Sequence, residues 1–216
     1  MRSLVAALCL LAVPAAAHAV PDFSYSYGDP YLATSQTYIV STSNAVLYTE
    51  DVVHAWKPNV GGTTFATTTP GRITYHFAFP KDTAAISLWV SMPTYHWYYS
   101  EGHNFLFGST DGASWTQLAD VLPPAYGGAN NLGTVTIPAS LLGANDLWLR
   151  VDLYSYGSSA PSGGVWTNTS QLSRWATSSP SSQSFRLEVT YVPEPATALL
   201  VSGGLAALAA RARRRA

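Results

Sequence analysis

The chain has 216 residues, with 11 Lys and Arg against 12 Asp and Glu for a net charge of −1, and charged residues make up only 11% of it. So sparse a charge excludes a nucleic-acid partner, because that affinity comes from clustered Lys and Arg neutralising phosphates. A single cysteine, Cys9, excludes a disulfide framework, and a hydrophobic fraction of 47% leaves the work of stabilisation to a core.

The N-terminus reads first. Met1-Arg2 is basic, Leu4 to Val13 is almost wholly apolar, and Ala17-His18-Ala19 sets small residues around its last position. That order is a secretory signal peptide over residues 1–19, cut after Ala19. A first membrane span would need ~20 apolar residues, and Pro14 interrupts this run. Cys9 lies inside the signal and too early for a lipoprotein site. The exported part therefore carries no disulfide, thiol nucleophile or thiolate ligand. Signal peptidase and the export machinery are its expected first partners.

Residues 20–191 form the expected domain, long enough for one core. They hold six basic residues against eleven acids, together with abundant Ser, Thr, Gly, Tyr and Trp. In chain order the strands are read from period-two alternation. Ile73, Tyr75, Phe77 and Phe79 share one face, and Ile86, Leu88 and Val90 another. Leu147, Leu149, Val151 and Leu153 oppose Trp148, Arg150 and Asp152, and Phe185 to Tyr191 alternates throughout. Turns at Pro80-Lys81-Asp82, Asp111-Gly112, Pro123-Pro124, Tyr126-Gly127-Gly128 and Gly143 to Asp146 separate the runs. One helical turn is expected at Pro138 to Leu142, and no repeat is visible. The expected class is all-β: an antiparallel β-sandwich of jelly-roll, lectin-like type.

Phe105 to Leu118 reads as strand, Asp-Gly turn, strand. Ser109-x-Asp111-Gly112-x-x-Trp115 resembles the hairpins of bacterial extracellular β-sandwiches. It also resembles the Asp-box of sialidases, one residue short and without a second copy. The resemblance implies a structural hairpin and no sialidase chemistry. Ile137 to Leu153 resembles the closing strands of lectin-like jelly rolls.

No catalytic motif is present: there is no G-x-S-x-G, no S-x-x-K and no phosphate-cradling glycine loop. Tyr95 to His103 is the densest polar cluster. His96, Glu101 and His103 have ligand chemistry for Zn²⁺ or Fe²⁺, but their spacing matches no metal motif, and no metal is assigned. A structural Ca²⁺ has candidate ligands in Asp22, Asp29, Glu50, Asp51 and Asp152, with no loop pattern to select among them. Glu50 and Asp51 are neighbours in a strand-like run and point to opposite faces, so they do not make a catalytic pair by themselves. Trp97, Tyr98 and Tyr99 sit together, and Trp166 and Trp175, like Tyr154 and Tyr156, lie in loop-like Ser/Gly-rich sequence, where flat rings can stack on sugars. They are the candidate glycan-binding set, alongside Tyr154 and Tyr156.

Residues 192–216 stand apart. Val192-Pro193-Glu194-Pro195-Ala196-Thr197 precedes an apolar stretch from Ala198 to Ala210, then Arg211-Ala212-Arg213-Arg214-Arg215. The apolar run is roughly 22 Å long as a helix at ~1.5 Å per residue, short of a ~30 Å bilayer core. Arg211, Arg213, Arg214 and Arg215 would hold its end in the cytoplasm. The three parts together resemble the PEP-CTERM sorting signal of Gram-negative bacteria. The resemblance implies an exosortase-type membrane protease as partner, acting at or near Pro193, Glu194 and Pro195. It also implies transient membrane association: an inner-membrane-anchored precursor facing the periplasm, later delivered to the cell surface or extracellular matrix. The functional expectation is a non-enzymatic exported sandwich that binds exopolysaccharide without a cofactor. The alternative is a secreted jelly-roll lyase or hydrolase using Tyr98 or His96 with Glu101.

Overall fold

A computed structural model describes residues 20–50, 53–59, 70–97, 100–157, 174–178 and 184–194, and the single positions 204 and 211. The signal peptide lies outside these residues, as do the C-terminal apolar segment apart from Gly204 and the Arg-rich end apart from Arg211, those two residues being helical and exposed. Fourteen strands occur among the described residues. In chain order they are β1 (Phe23–Tyr27), β2 (Ile39–Ser43), β3 (Ala45–Glu50), β4 (Val53–Pro58), β5 (Gly71–Ala78), β6 (Thr83–Val90) and β7 (Thr94–Trp97). Then come β8 (Ser100–Ser109), β9 (Thr116–Val121), β10 (Ala129–Asn130), β11 (Gly133–Val135), β12 (Asp146–Gly157), β13 (Trp175–Ser178) and β14 (Phe185–Tyr191). A short 3-10 helix at Ala139–Leu141 occupies the expected helical turn, and another spans Ala33–Gln36.

The strands make three antiparallel sheets. A small one runs β1-β14-β6-β11, and a large one runs β10-β7-β8-β12-β5-β2 with β9 on the edge of β8 away from β12. The third runs β13-β4-β3. The small and large sheets face each other, because alternation buries one side of each. Ile73, Tyr75 and Phe77 of β5 and Leu147, Leu149, Val151 and Leu153 of β12 are fully buried. Leu88 and Val90 of β6 and Phe185, Leu187 and Val189 of β14 meet them from the small sheet. Phe185 stacks on Tyr75 at 5.7 Å across the gap, and the edge of Phe23 meets Phe77 at 6.3 Å. From Val20 to Glu194 the described residues form an all-β, antiparallel sandwich.

One polar cluster sits in this core. The hydroxyls of Tyr27 and Tyr75 lie 3.0 Å apart, and the Trp175 indole N–H donates to the Tyr75 oxygen at 3.2 Å. A buried hydroxyl without partners would cost roughly 1–3 kcal/mol, and here each group is satisfied. The trio joins all three sheets, since Tyr27, Tyr75 and Trp175 belong one to each. Burial also pushes both phenols up, Tyr75 to about 12 and Tyr27 well above its ordinary value.

Candidate functional site

The core claims one face of the large sheet. Strand alternation sends Arg72, Thr74 and His76 of β5, Trp148, Arg150, Asp152 and Tyr154 of β12, and His103, Phe105 and Phe107 of β8 to the other. Register then lines them up in rows. Arg72, Asp152, Phe105 and Asp120 face one another across four strands, and Thr74, Arg150, Phe107 and Gln117 form the next row. His76 and Trp148 form a third.

Contacts within these rows are specific. Arg72 donates from Nε and Nη2 to the two carboxylate oxygens of Asp152, each at 2.8 Å, and that bonding raises the guanidinium pKa. Trp148 stacks on His76 at 3.9 Å with an 11° interplanar angle, and His76 Nε2 lies 2.7 Å from Asp146 Oδ1. Phe105 is the hub of the aromatic part. His103 lies 4.2 Å away, Tyr154 meets it edge-on at 5.7 Å, and Phe107 is nearly parallel at 6.3 Å. His103 donates from Nε2 to Asp120 Oδ1 at 2.5 Å, which fixes the ring beside Phe105.

The Ser109 to Trp115 segment closes one end of the face. It is a six-residue loop between β8 and β9 and not the two-residue turn that Asp-Gly suggested. Ser109 Oγ donates to Asp111 Oδ1 and accepts from the Gly112 amide at 2.9 Å. Asp111 Oδ1 also accepts from the Ala113 and Ser114 amides at 2.8 and 2.7 Å, and those bonds hold its carboxyl well below the usual range. Gly112 adopts φ 69°, and a Cβ there would lie 3.1 Å from the Trp148 indole. The loop thereby covers Trp148 and brings Trp115 to 4.6 Å from the Arg150 guanidinium.

This arrangement offers flat rings flanked by rigidly held hydrogen-bonding groups. Such a surface suits a ligand with apolar C–H faces and many hydroxyls. From His103 to Phe107 the strip is about 13 Å long at ~3.3 Å per residue, enough for more than one sugar ring.

Neither a protein-family model nor a curated protein matches the chain. Among solved structures it is similar to a mutant of a family 29 carbohydrate-binding module complexed with mannohexaose, at 10% identity and a TM-score of 0.33, covering 63% of this chain and 94% of that one. A second mutant of that module, complexed with cellulohexaose, gives 10% identity and a TM-score of 0.31 over 63% and 93%. TM-scores this low carry no inference about ligand or fold.

The residues expected from sequence fall in several places. Trp175 corrects one expectation: it is completely buried, its indole N–H bonded to Tyr75, and it belongs to the core instead of a sugar-facing patch. The backbone of Trp97 lies in β7 opposite Ser100. Its side chain, together with Tyr98, Tyr99 and Trp166, lies outside the described residues. His96 and Glu101 are register partners. His96 donates from Nδ1 to the Pro124 carbonyl at 3.1 Å and meets the exposed Tyr126 ring edge-on at 5.7 Å. Among the described residues no three His, Cys, Asp or Glu are placed to hold a metal. Asp22 accepts from the Tyr191 amide, Asp29 pairs with His54 and Asp152 with Arg72, while the Glu50 and Asp51 side chains are not among those described.

In the tail, Glu194 forms a 2.8 Å ion pair with Lys81. Pro193 is exposed, and Pro195 and Arg213 to Arg215 lie outside the described residues. The residues that sequence reasoning missed are Phe105, Phe107, Trp115 and His76. A signal existed in the outward positions of β12, where Trp148 and Tyr154 stand in place of the small polar residues usual on a solvated face.

Proposed function

We propose that this protein is a non-enzymatic polysaccharide-binding sandwich, exported and sorted to the cell surface or matrix, that holds its glycan across the outer face of the large sheet. The observation that carries the reading is the Phe105 cluster. An aromatic ring on a rigid strand is ringed by His103, Phe107 and Tyr154, with the Arg72–Asp152 and His103–Asp120 pairs fixed alongside. Sites on strands are better preorganised than sites on loops. The successive crossings from β5 in the large sheet to β6 in the small one and back to β7 support a jelly-roll reading of the sandwich. The tail's resemblance to a PEP-CTERM signal supports sorting, with an exosortase-type protease as the processing partner.

The test is affinity electrophoresis of the purified protein through gels containing soluble polysaccharides, including the producing cell's own. Retardation is expected, and Phe105→Ala should weaken binding about five- to tenfold, as loss of a stacking ring worth ~1–1.5 kcal/mol implies. Migration unaffected by every polysaccharide would sink the binding reading.

A further inference from the structure

Among the described residues of the outer face, Arg150 keeps a buried donor without a hydrogen bond. Arg150 projects from β12 opposite Phe107, and its guanidinium carbon lies 4.4 Å from that ring and 4.6 Å from Trp115. Rings attract the flat faces of a guanidinium, but its N–H donors point outward in the plane and still need acceptors. The carboxylate beside it is Asp152, whose Oδ1 lies 3.4 Å from Arg150 Nε, in ion-pair range but without a hydrogen bond. Both Asp152 oxygens are already held by Arg72 at 2.8 Å, and Arg150 Nε is buried without a hydrogen bond.

Two guanidinium groups therefore share one carboxylate. Among the described residues, two other acids on this face are engaged elsewhere, Asp120 with His103 and Asp146 with His76. About a fifth of the Arg150 side chain, 19%, stays open to solvent. Burial lowers its pKa, and the like charge of Arg72 adds to the effect while Asp152 opposes it. A neutral hydroxyl can accept a hydrogen bond from such a group but cannot balance it. A carboxylate does both.

We infer that the outer face is built for an acidic glycan, with Arg150 binding the carboxylate of a uronic acid while the neighbouring sugar packs toward Phe105 and Phe107. This rests on the glycan-binding reading above and narrows it to a chemical class. The residual charge is presented from between two rings, so the acid is recognised beside an apolar sugar face and not as a free anion.

The experiment compares three uronate polymers (polygalacturonate, alginate and hyaluronate) with their carboxyl-reduced counterparts, which keep the backbone and lose the charge. Calorimetric titration of the purified protein should show at least one acidic form binding roughly tenfold or more tightly than its reduced partner, as a charge-assisted hydrogen bond implies. That preference should shrink as salt rises. Arg150→Gln should lower the affinity for the acidic form to that of the reduced form, with a melting temperature recorded to confirm folding. The comparison on the unaltered protein stands even if the variant does not fold. Equal binding of acidic and reduced polymers overturns the inference and leaves the glycan-binding reading intact. Binding only to neutral polysaccharides does the same. Binding to nothing, uronates and neutral glycans alike, overturns both.

Discussion

Tyr75 concentrates the polar chemistry of the core in one hydroxyl. It receives the Trp175 indole N–H, sits 3.0 Å from the Tyr27 hydroxyl, and has no exposed surface. Both phenols are held neutral by burial, Tyr75 rising from the ordinary 10.0 to about 12. The folded state thus keeps these protons to higher pH than the unfolded chain does. The stability this reflects is whole below pH 10 and drains away as pH rises from about 10 to about 12 and beyond. A two-unit shift corresponds to about 2 kcal/mol lost by pH 12 for one tyrosine, and about 3 kcal/mol above it. Chemical denaturation followed by Trp fluorescence should therefore show a plateau up to pH 10 and then a fall, and Tyr27→Phe should flatten the fall. A stability curve level to pH 12 would contradict the satisfied, buried arrangement. None of this was legible in Trp175 itself, which stands in Ser- and Thr-rich sequence like any exposed loop aromatic. Its burial comes from β13 pairing with β4 and turning the indole toward Tyr75, a long-range contact that local composition does not encode.

The Ser109 to Trp115 loop shows how one element serves both stability and site. Its side-chain and backbone bonds replace the ladder that ends at Ser109, and Gly112 supplies the left-handed φ of 69° that lets the loop close over Trp148. Gly112→Ala meets two obstacles: an unfavourable φ, costing about 1–2 kcal/mol, and an added methyl 3.1 Å from the indole. The expected outcome is a drop of several degrees in melting temperature, together with weaker binding as Trp115 loses its place over Arg150. A variant as stable as the original would mean the loop relaxes without cost. The Ser-x-Asp-Gly-x-x-Trp pattern made this element visible in the sequence, and β5, β6, β12 and β14 were equally visible by alternation because each has one buried face. The third sheet was not. In β4 the neighbours Ala55 and Trp56 are both buried, and β13 has four residues, a register shift and Ala176 at φ 49°, so neither strand alternates cleanly. The site was half visible for a related reason. Trp148, Arg150 and Asp152 are legible as one side of β12, but register alone joins them to Phe105, Phe107 and Arg72.

On the scale of the whole molecule, the sandwich and its tail are physically connected. Beyond β14 the chain does not leave the domain at once: the Val192 amide donates to the Asp82 carbonyl at 2.8 Å, and Glu194 pairs with Lys81 on the same β5–β6 turn. Lys81 holds the Glu194 carboxyl below its ordinary pKa, so the carboxylate is charged and engaged. If the tail is processed at Pro193, Glu194 and Pro195 as proposed, a protease reading that carboxylate must first take it from Lys81. The pair is well exposed, with side chains 46% and 61% accessible, and so weak and salt-sensitive. Lys81→Ala should accordingly quicken processing, by a few-fold at most at low ionic strength and by nothing measurable at high salt. Pulse-labelled cells followed by mass spectrometry of the C-terminus provide the readout. An unchanged rate at low salt would mean the ion pair does not limit access. An exported protein still carrying Arg213 to Arg215 would remove the sorting reading altogether, while leaving the binding chemistry on the outer face of the large sheet untouched.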